Sequence, residues 1–189
     1  MKAAVCREFG KPLVIEDIEL LPPGEGEVEV KLSACAICHS DILYIQGAWG
    51  GNLPAIYGHE ASGVVYKVGP GVVNVKTGDH VIVTLIRSCG NCHYCTQGDR
   101  VRCETVFRLD ETSPLSDAKG HSIVQGLRTG AFAESVVVDS SQIALIPKEI
   151  PLDVASVLSC GVITGLGAVV NTAKIKIGSS VVVVGTGGV

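Results

Sequence analysis

Glu27-Val28-Glu29-Val30-Lys31-Leu32 carries an apolar side chain at every second position. Val28, Val30 and Leu32 therefore share one face, and the charged residues take the other. A two-residue period of this kind marks a half-buried β-strand. Working outward, residues 2–6, 13–18, 63–68, 80–85, 131–138 and 142–146 read as further strands. Pro22-Pro23-Gly24, Gly69-Pro70-Gly71 and Lys76-Thr77-Gly78-Asp79 supply turns between several of them. The 23 glycines among 189 residues fall between these short apolar stretches and form no low-complexity tract. Closely spaced strands of this type predict a mainly β architecture, an antiparallel barrel or sandwich. Residues 108–128 mix Asp, Ser, Lys and Gly and read as a long surface loop.

The texture changes after Pro151. Residues 152–158 and 162–173 read as helical, with Ala, Leu and Val on a continuing apolar face. Gly178-Ser179-Ser180 then leads into Val181-Val182-Val183-Val184, a run suited to a parallel strand buried on both faces. Gly185-Thr186-Gly187-Gly188-Val189 follows directly. A buried strand running into such a glycine turn begins a dinucleotide-binding βαβ unit, whose third glycine and helix would lie beyond residue 189. The expectation is a chain that stops inside the motif.

Fifteen basic and nineteen acidic residues give a net charge of −4 without any Lys/Arg block. Neither nucleic acid nor an anionic membrane is expected as a partner. Charges throughout residues 1–20 interrupt any signal-peptide core, and no run approaches the roughly 18 apolar residues of a spanning helix. A cytoplasmic protein is expected. Eight cysteines in that setting read as metal ligands or free thiols, since cytosolic reductants oppose disulfides.

Cys89, Cys92, Cys95 and Cys103 form a C-x2-C-x2-C-x7-C array, which can close a tetrahedral zinc site on a compact loop. An iron-sulfur cluster or two disulfides are the alternatives. Four protein ligands leave no open position, so a metal here is structural. His93 lies inside the array and reads as an exposed loop histidine. Three other segments contain ligand-type residues: Cys38-His39-Ser40-Asp41, Gly58-His59-Glu60 and Ser159-Cys160-Gly161.

Together with the four-cysteine array, Thr164 and the terminal glycines, these segments make the whole chain resemble the zinc-dependent medium-chain alcohol dehydrogenases. The resemblance implies a GroES-like barrel with a zinc lobe over residues 1–160, followed at 161–189 by a linking helix and the first strand of an incomplete Rossmann domain. It implies that Cys38, His59 and Cys160 hold a catalytic zinc, leaving the fourth position for water or substrate. Ser40 falls where a hydroxyl accepts the proton of the alcohol. Asp41 falls where a carboxylate orients the ligand histidine, and Glu60 beside the zinc. His39 and Thr164 would contact the nicotinamide cofactor, NAD or NADP, with Gly185, Gly187 and Gly188 at its pyrophosphate. Leu43 stands where several relatives pass the proton on through a histidine.

The implied activity is hydride transfer between a primary or secondary alcohol and the cofactor, with a small-molecule alcohol or aldehyde as partner and a homo-oligomeric state at full length. The chain taken alone is expected to be inactive. Alternatives are a polyol, threonine or thiol-adduct aldehyde dehydrogenase of the same family, or a catalytically incomplete zinc-stabilised GroES-like module.

Overall fold

The computed structural model describes residues 1–189. The alternating stretch opens the longest strand of the protein, Glu27–Ala36, third of ten. In chain order the strands are β1 (Lys2–Val5), β2 (Val14–Leu20), β3 (Glu27–Ala36), β4 (Ala55–Ile56), β5 (Glu60–Val68), β6 (His80–Val83), β7 (Leu115–Asp117), β8 (Ser122–Gln125), β9 (Ser135–Asp139) and β10 (Ile143–Leu145). They form two five-stranded sheets, ordered β1-β2-β7-β8-β4 and β10-β6-β5-β3-β9. All pairings are antiparallel except β4 with β8. Single bridges from Ala3 to Ala133 and from Cys6 to Ala55 draw the sheets together into a nearly closed barrel.

The alternation of β3 has the expected physical outcome. Val28 and Val30 are fully buried and pack with Val65, Val81, Val83, Val136 and Val138 into one core. Each such side chain contributes roughly 1.5–3 kcal/mol when withdrawn from water. A bulge between Leu32 and Ala34 bends β3 against β5. Gly63 faces that bend, where an added Cβ would lie 2.2 Å from the carbonyl oxygen of Lys31. Only glycine fits there.

Three sequence expectations need correction. Residues 108–128 are not a surface loop: they contain a short helix and the β7–β8 hairpin, which lies between β2 and β4. Leu115 and Ile123 of that hairpin are buried in a second core with Ala3, Val5, Ile18 and Ile56. The three- and four-residue strands are too short to display a period, and Asp117, Lys119 and Gly120 at their turn masked them. The second correction concerns residues 181–184, which form no strand. Their valines are 53–95% exposed because no neighbouring strand is present to satisfy their backbone groups. Lastly, residues 131–134 are extended connection rather than strand, and β9 begins at Ser135.

The helical reading after Pro151 agrees with the structure. The short helices are α1 (His39–Ile45), α2 (His93–Thr96), α3 (Arg108–Glu111), α4 (Leu152–Ser156) and α5 (Gly161–Gly167). A 3-10 turn at Val157–Ser159 joins α4 to α5, and a π turn at Ala168–Thr172 prolongs α5. Ser62 and Ser159 tie this segment to β5, their hydroxyls donating to the Leu152 and Ala61 carbonyls. No single helix is long and apolar enough to cross a membrane.

Candidate metal centres

The four-cysteine lobe rises between β6 and α3. Cys92 precedes α2, Cys95 lies within it, and Cys103 follows a 3-10 turn at Arg100–Arg102. All eight cysteines of the chain are free thiols. The four lobe sulfurs lie within 4.8 Å of one another. Cys89 Sγ is 4.0 Å from Cys95 Sγ, and Cys92 Sγ is 4.0 Å from Cys103 Sγ. Zinc-sulfur bonds of 2.3 Å require a tetrahedral edge of about 3.8 Å. One tetrahedral ion fits between these sulfurs. Disulfides would need sulfurs at about 2.05 Å, and four iron atoms would need them farther apart.

Backbone amides support thiolate character in the lobe. The Cys92 N–H donates to Cys89 Sγ and the Cys89 N–H to Cys103 Sγ, both at 3.3 Å. Donors from Thr105 first, and then from the Asn91 backbone, bring the Cys89 thiol down to about 6. Burial pushes the Cys95 thiol up to about 12. Four adjacent thiolates cannot all ionise without a compensating cation, and a divalent metal supplies that charge. His93 is exposed; its ring meets Gln97 at 3.3 Å and stands edge-on to Tyr94.

The second centre is assembled from three remote segments. Cys38 stands at the end of β3, just before α1. His59 immediately precedes β5, Glu60 opens it, and Cys160 stands at the break between the 3-10 turn and α5. Ligand atoms of Cys38, His59, Glu60 and Cys160 all lie within 4.8 Å of one another. Two thiols, an imidazole and a carboxylate are a donor set suited to zinc. Gly58 sets the approach: its φ is +92°, and a Cβ there would meet Phe132 at 2.6 Å.

Asp41 organises this centre from a fully buried position. Its Oδ1 accepts from the Gly58 N–H at 2.9 Å and contacts His59 Nδ1 at 3.0 Å. Its Oδ2 accepts from the Cys38 N–H at 3.0 Å. A carboxylate on Nδ1 holds the proton there and leaves Nε2 as the metal-binding atom. Glu60 is also buried, and its Oε2 accepts from the Gly161 N–H at 3.3 Å. Burial pushes the Cys160 thiol up to about 11, and its neighbours Cys38 and Glu60 act in the same direction. Metal binding would displace that proton.

Ser40 Oγ lies 3.6 Å from Cys38 Sγ, at the edge of the centre. Thr164 Oγ1 lies 3.9 Å from Cys160 Sγ. His39 is exposed on the first turn of α1. Gly185, Gly187 and Gly188 are exposed; the Gly188 carbonyl comes within 3.3 Å of a Cβ built on Gly161. A cleft of about 550 Å³ opens elsewhere, at the barrel seam beside Ala3, Leu13, Ile15, Leu32 and Phe132. It is apolar and includes no candidate metal ligand.

Two participants escaped sequence reading. The Gly161 amide on Glu60 joins residues 101 apart in sequence. Arg87, 2% exposed beneath the four-cysteine lobe, bonds Asp110, Gln142 and the Arg128 carbonyl. A lone arginine two residues before a cysteine array gave no signal of burial.

Residues 24–148 match the protein-family model described as the alcohol dehydrogenase GroES-like domain. The chain is 42% identical to alcohol dehydrogenase class-3 of Drosophila melanogaster over 197 residues and 40% identical to alcohol dehydrogenase 1 of Pisum sativum over 196. Each alignment takes in the full chain and 52% of the relative. Among solved structures, an alcohol dehydrogenase zinc-binding domain protein from Burkholderia ambifaria superposes with a TM-score of 0.88 at 35% identity, over 95% of this chain and 50% of that one. Benzyl alcohol dehydrogenase from Acinetobacter calcoaceticus gives a TM-score of 0.82 at 28% identity, over the same shares. The chain spans about half the length of the relatives it matches.

Proposed function

Since the chain belongs to the alcohol dehydrogenase GroES-like domain family, we propose that it is the zinc-holding catalytic portion of an enzyme that moves hydride between an alcohol and a nicotinamide cofactor. The observation that carries this reading is the convergence of Cys38, His59 and Cys160, with Glu60, on one point from three segments of the chain. Zinc held there supplies Lewis-acid polarisation of a substrate oxygen, and a nicotinamide supplies the hydride acceptor.

The residues around that point have separable tasks. Cys38, His59 and Cys160 are the resident ligands. Glu60, held through the Gly161 amide, is a carboxylate able to tune the charge of the centre. Asp41 fixes the His59 ring and at the same time the Cys38 backbone, so two ligands share one buried anchor. Ser40 accepts the hydroxyl proton of the substrate, and its place beside Cys38 supports that role. Thr164, one helical turn after Cys160, faces the nicotinamide ring, and His39 with Gly185, Gly187 and Gly188 meets the cofactor phosphates. The four-cysteine lobe holds a second, structural zinc.

We also assign a domain division after Cys160, where the helix axis breaks, a cytoplasmic setting supported by eight free thiols, and a homo-oligomeric full-length enzyme. The test uses cobalt in place of zinc. Trifluoroethanol, an alcohol that resists oxidation, should shift the visible bands of cobalt in the Cys38–His59–Cys160 centre, and Cys160→Ala should abolish the shift. A spectrum insensitive to alcohols would count against an open catalytic site.

A further inference from the structure

The four-cysteine lobe is a long excursion from the barrel, and its two stems meet at a single buried side chain. Arg87 stands on the outgoing stem, two residues before Cys89, and Asp110 stands on the returning stem, in α3. Arg87 Nη1 donates to Asp110 Oδ1 at 3.0 Å, and the guanidinium lies over the Phe107 ring at 5.6 Å. Both partners on the returning side follow Cys103 in sequence. The ion pair thus closes the loop that contains all four thiols.

The same guanidinium fastens the closed loop to the barrel. Arg87 Nε donates to Gln142 Oε1 at 2.8 Å, and Nη2 donates to the Arg128 carbonyl at 3.2 Å. That carbonyl also accepts from Gln142 Nε2 at 3.1 Å. Leu127 and Arg128 adopt φ of +53° and +59°, a left-handed conformation that non-glycine residues rarely take and that surrounding contacts must hold. Arg128 Nε returns to Asp110 at 3.0 Å. Three segments remote in sequence, at Phe107–Asp110, Arg128 and Gln142, therefore converge on Arg87. Only a planar fork of five donors can serve acceptors in three directions; lysine has a single ammonium on a flexible stem.

We propose that Arg87 is the clasp of the four-cysteine lobe, a positioning residue that holds the lobe's stems closed and so slows loss of metal from the array. The inference rests on that array holding a metal. Four thiols on an open loop must be gathered against loop-closure entropy and mutual repulsion each time a metal binds. With the stems clasped, the gathering is already done. Groups that orient metal ligands from behind typically matter by about 10- to 100-fold in affinity.

The experiment uses the full chain loaded with cadmium, whose NMR resonance separates an all-thiolate site from a mixed thiolate-imidazole site. Decay of each resonance is followed after adding excess chelator. In Arg87→Lys the all-thiolate resonance should decay about 10- to 100-fold faster, while the mixed site decays at the wild-type rate. Asp110→Asn, which preserves volume, should act in the same direction and decides the matter if Arg87→Lys does not fold by circular dichroism. Arg108→Gln is the comparison: it breaks an ion pair of α3 with buried Glu27 without parting the stems, and should leave decay unchanged. Unchanged decay in the folded Arg87 and Asp110 variants, or equal acceleration by Arg108→Gln, overturns the clasp. Absence of an all-thiolate resonance in the wild type would instead overturn the metal assignment, and the clasp with it.

Discussion

Replacing Asp41 by Asn changes one atom of the mixed-ligand centre and leaves its volume intact. The carboxylate receives the Gly58 N–H and contacts His59 Nδ1 through Oδ1, and receives the Cys38 N–H through Oδ2. An asparagine can keep its oxygen toward Gly58 and His59. Its amide nitrogen then confronts the Cys38 N–H, donor against donor. Turned the other way, the amide faces both Gly58 and His59 and forces the imidazole proton onto the nitrogen needed for metal. The first arrangement costs less, and it still forfeits one charge-assisted hydrogen bond of about 1.5–3 kcal/mol. Asp41 is fully buried, so no water repairs the loss. At about 1.4 kcal/mol per decade, zinc affinity at this centre should fall about 10- to 100-fold, the range typical of groups behind a ligand histidine. Competition against a chromophoric chelator reads the loss, with the four-cysteine site as internal reference. Affinity equal to the wild type would refute the claim that Asp41 governs the ligand geometry.

Three further outcomes are expected. Ile123→Ala should lower unfolding stability by about 2–5 kcal/mol in urea melts, because Ile123 is fully buried in the second core; a surface-loop residue would cost almost nothing. Backbone N–H groups, of His121 for Asp117 and of Lys76 for Asp79, hold both carboxyls below their usual range. Their stabilisation is present above the unfolded value of about 3.9 and is lost as pH falls through the depressed folded values, so the urea midpoint should drop on acidification and the double Asp→Asn variant should drop less. A polypeptide of residues 1–189 with zinc, NAD and simple alcohols should turn over far below about 1 per second, because Gly185 and Gly187 lead into no helix among these residues and leave the nicotinamide unpositioned; a rate near that value in an absorbance assay contradicts it.

What could be read from the sequence depended on length and period. The six-residue alternation in β3 was long enough to fix one face, and most other strands were legible from valine runs between turns. The β7–β8 hairpin was hidden because its strands span three and four residues, two cycles or fewer of the two-residue period. Residues 181–184 show the opposite failure: their β propensity is plain, yet a strand exists only where another strand pairs with it. The cysteine array announced itself through spacing. Cys38, His59 and Cys160 stand 21 and 101 residues apart, so no local pattern joins them, and the likeness to a known family was what grouped them. Arg87 was invisible because its partners come from Asp110, Arg128 and Gln142 and only the fold brings them together.

Zinc K-edge absorption combined with metal analysis tests the two-centre account most directly. The account predicts about two zinc ions per chain, with sulfur near 2.3 Å and a minority of nitrogen or oxygen near 2.0–2.1 Å. In a Cys38→Ala, His59→Ala, Cys160→Ala variant one zinc should remain, with sulfur ligands alone. A single all-sulfur zinc in the wild type, or a variant that retains the nitrogen shell, would contradict it.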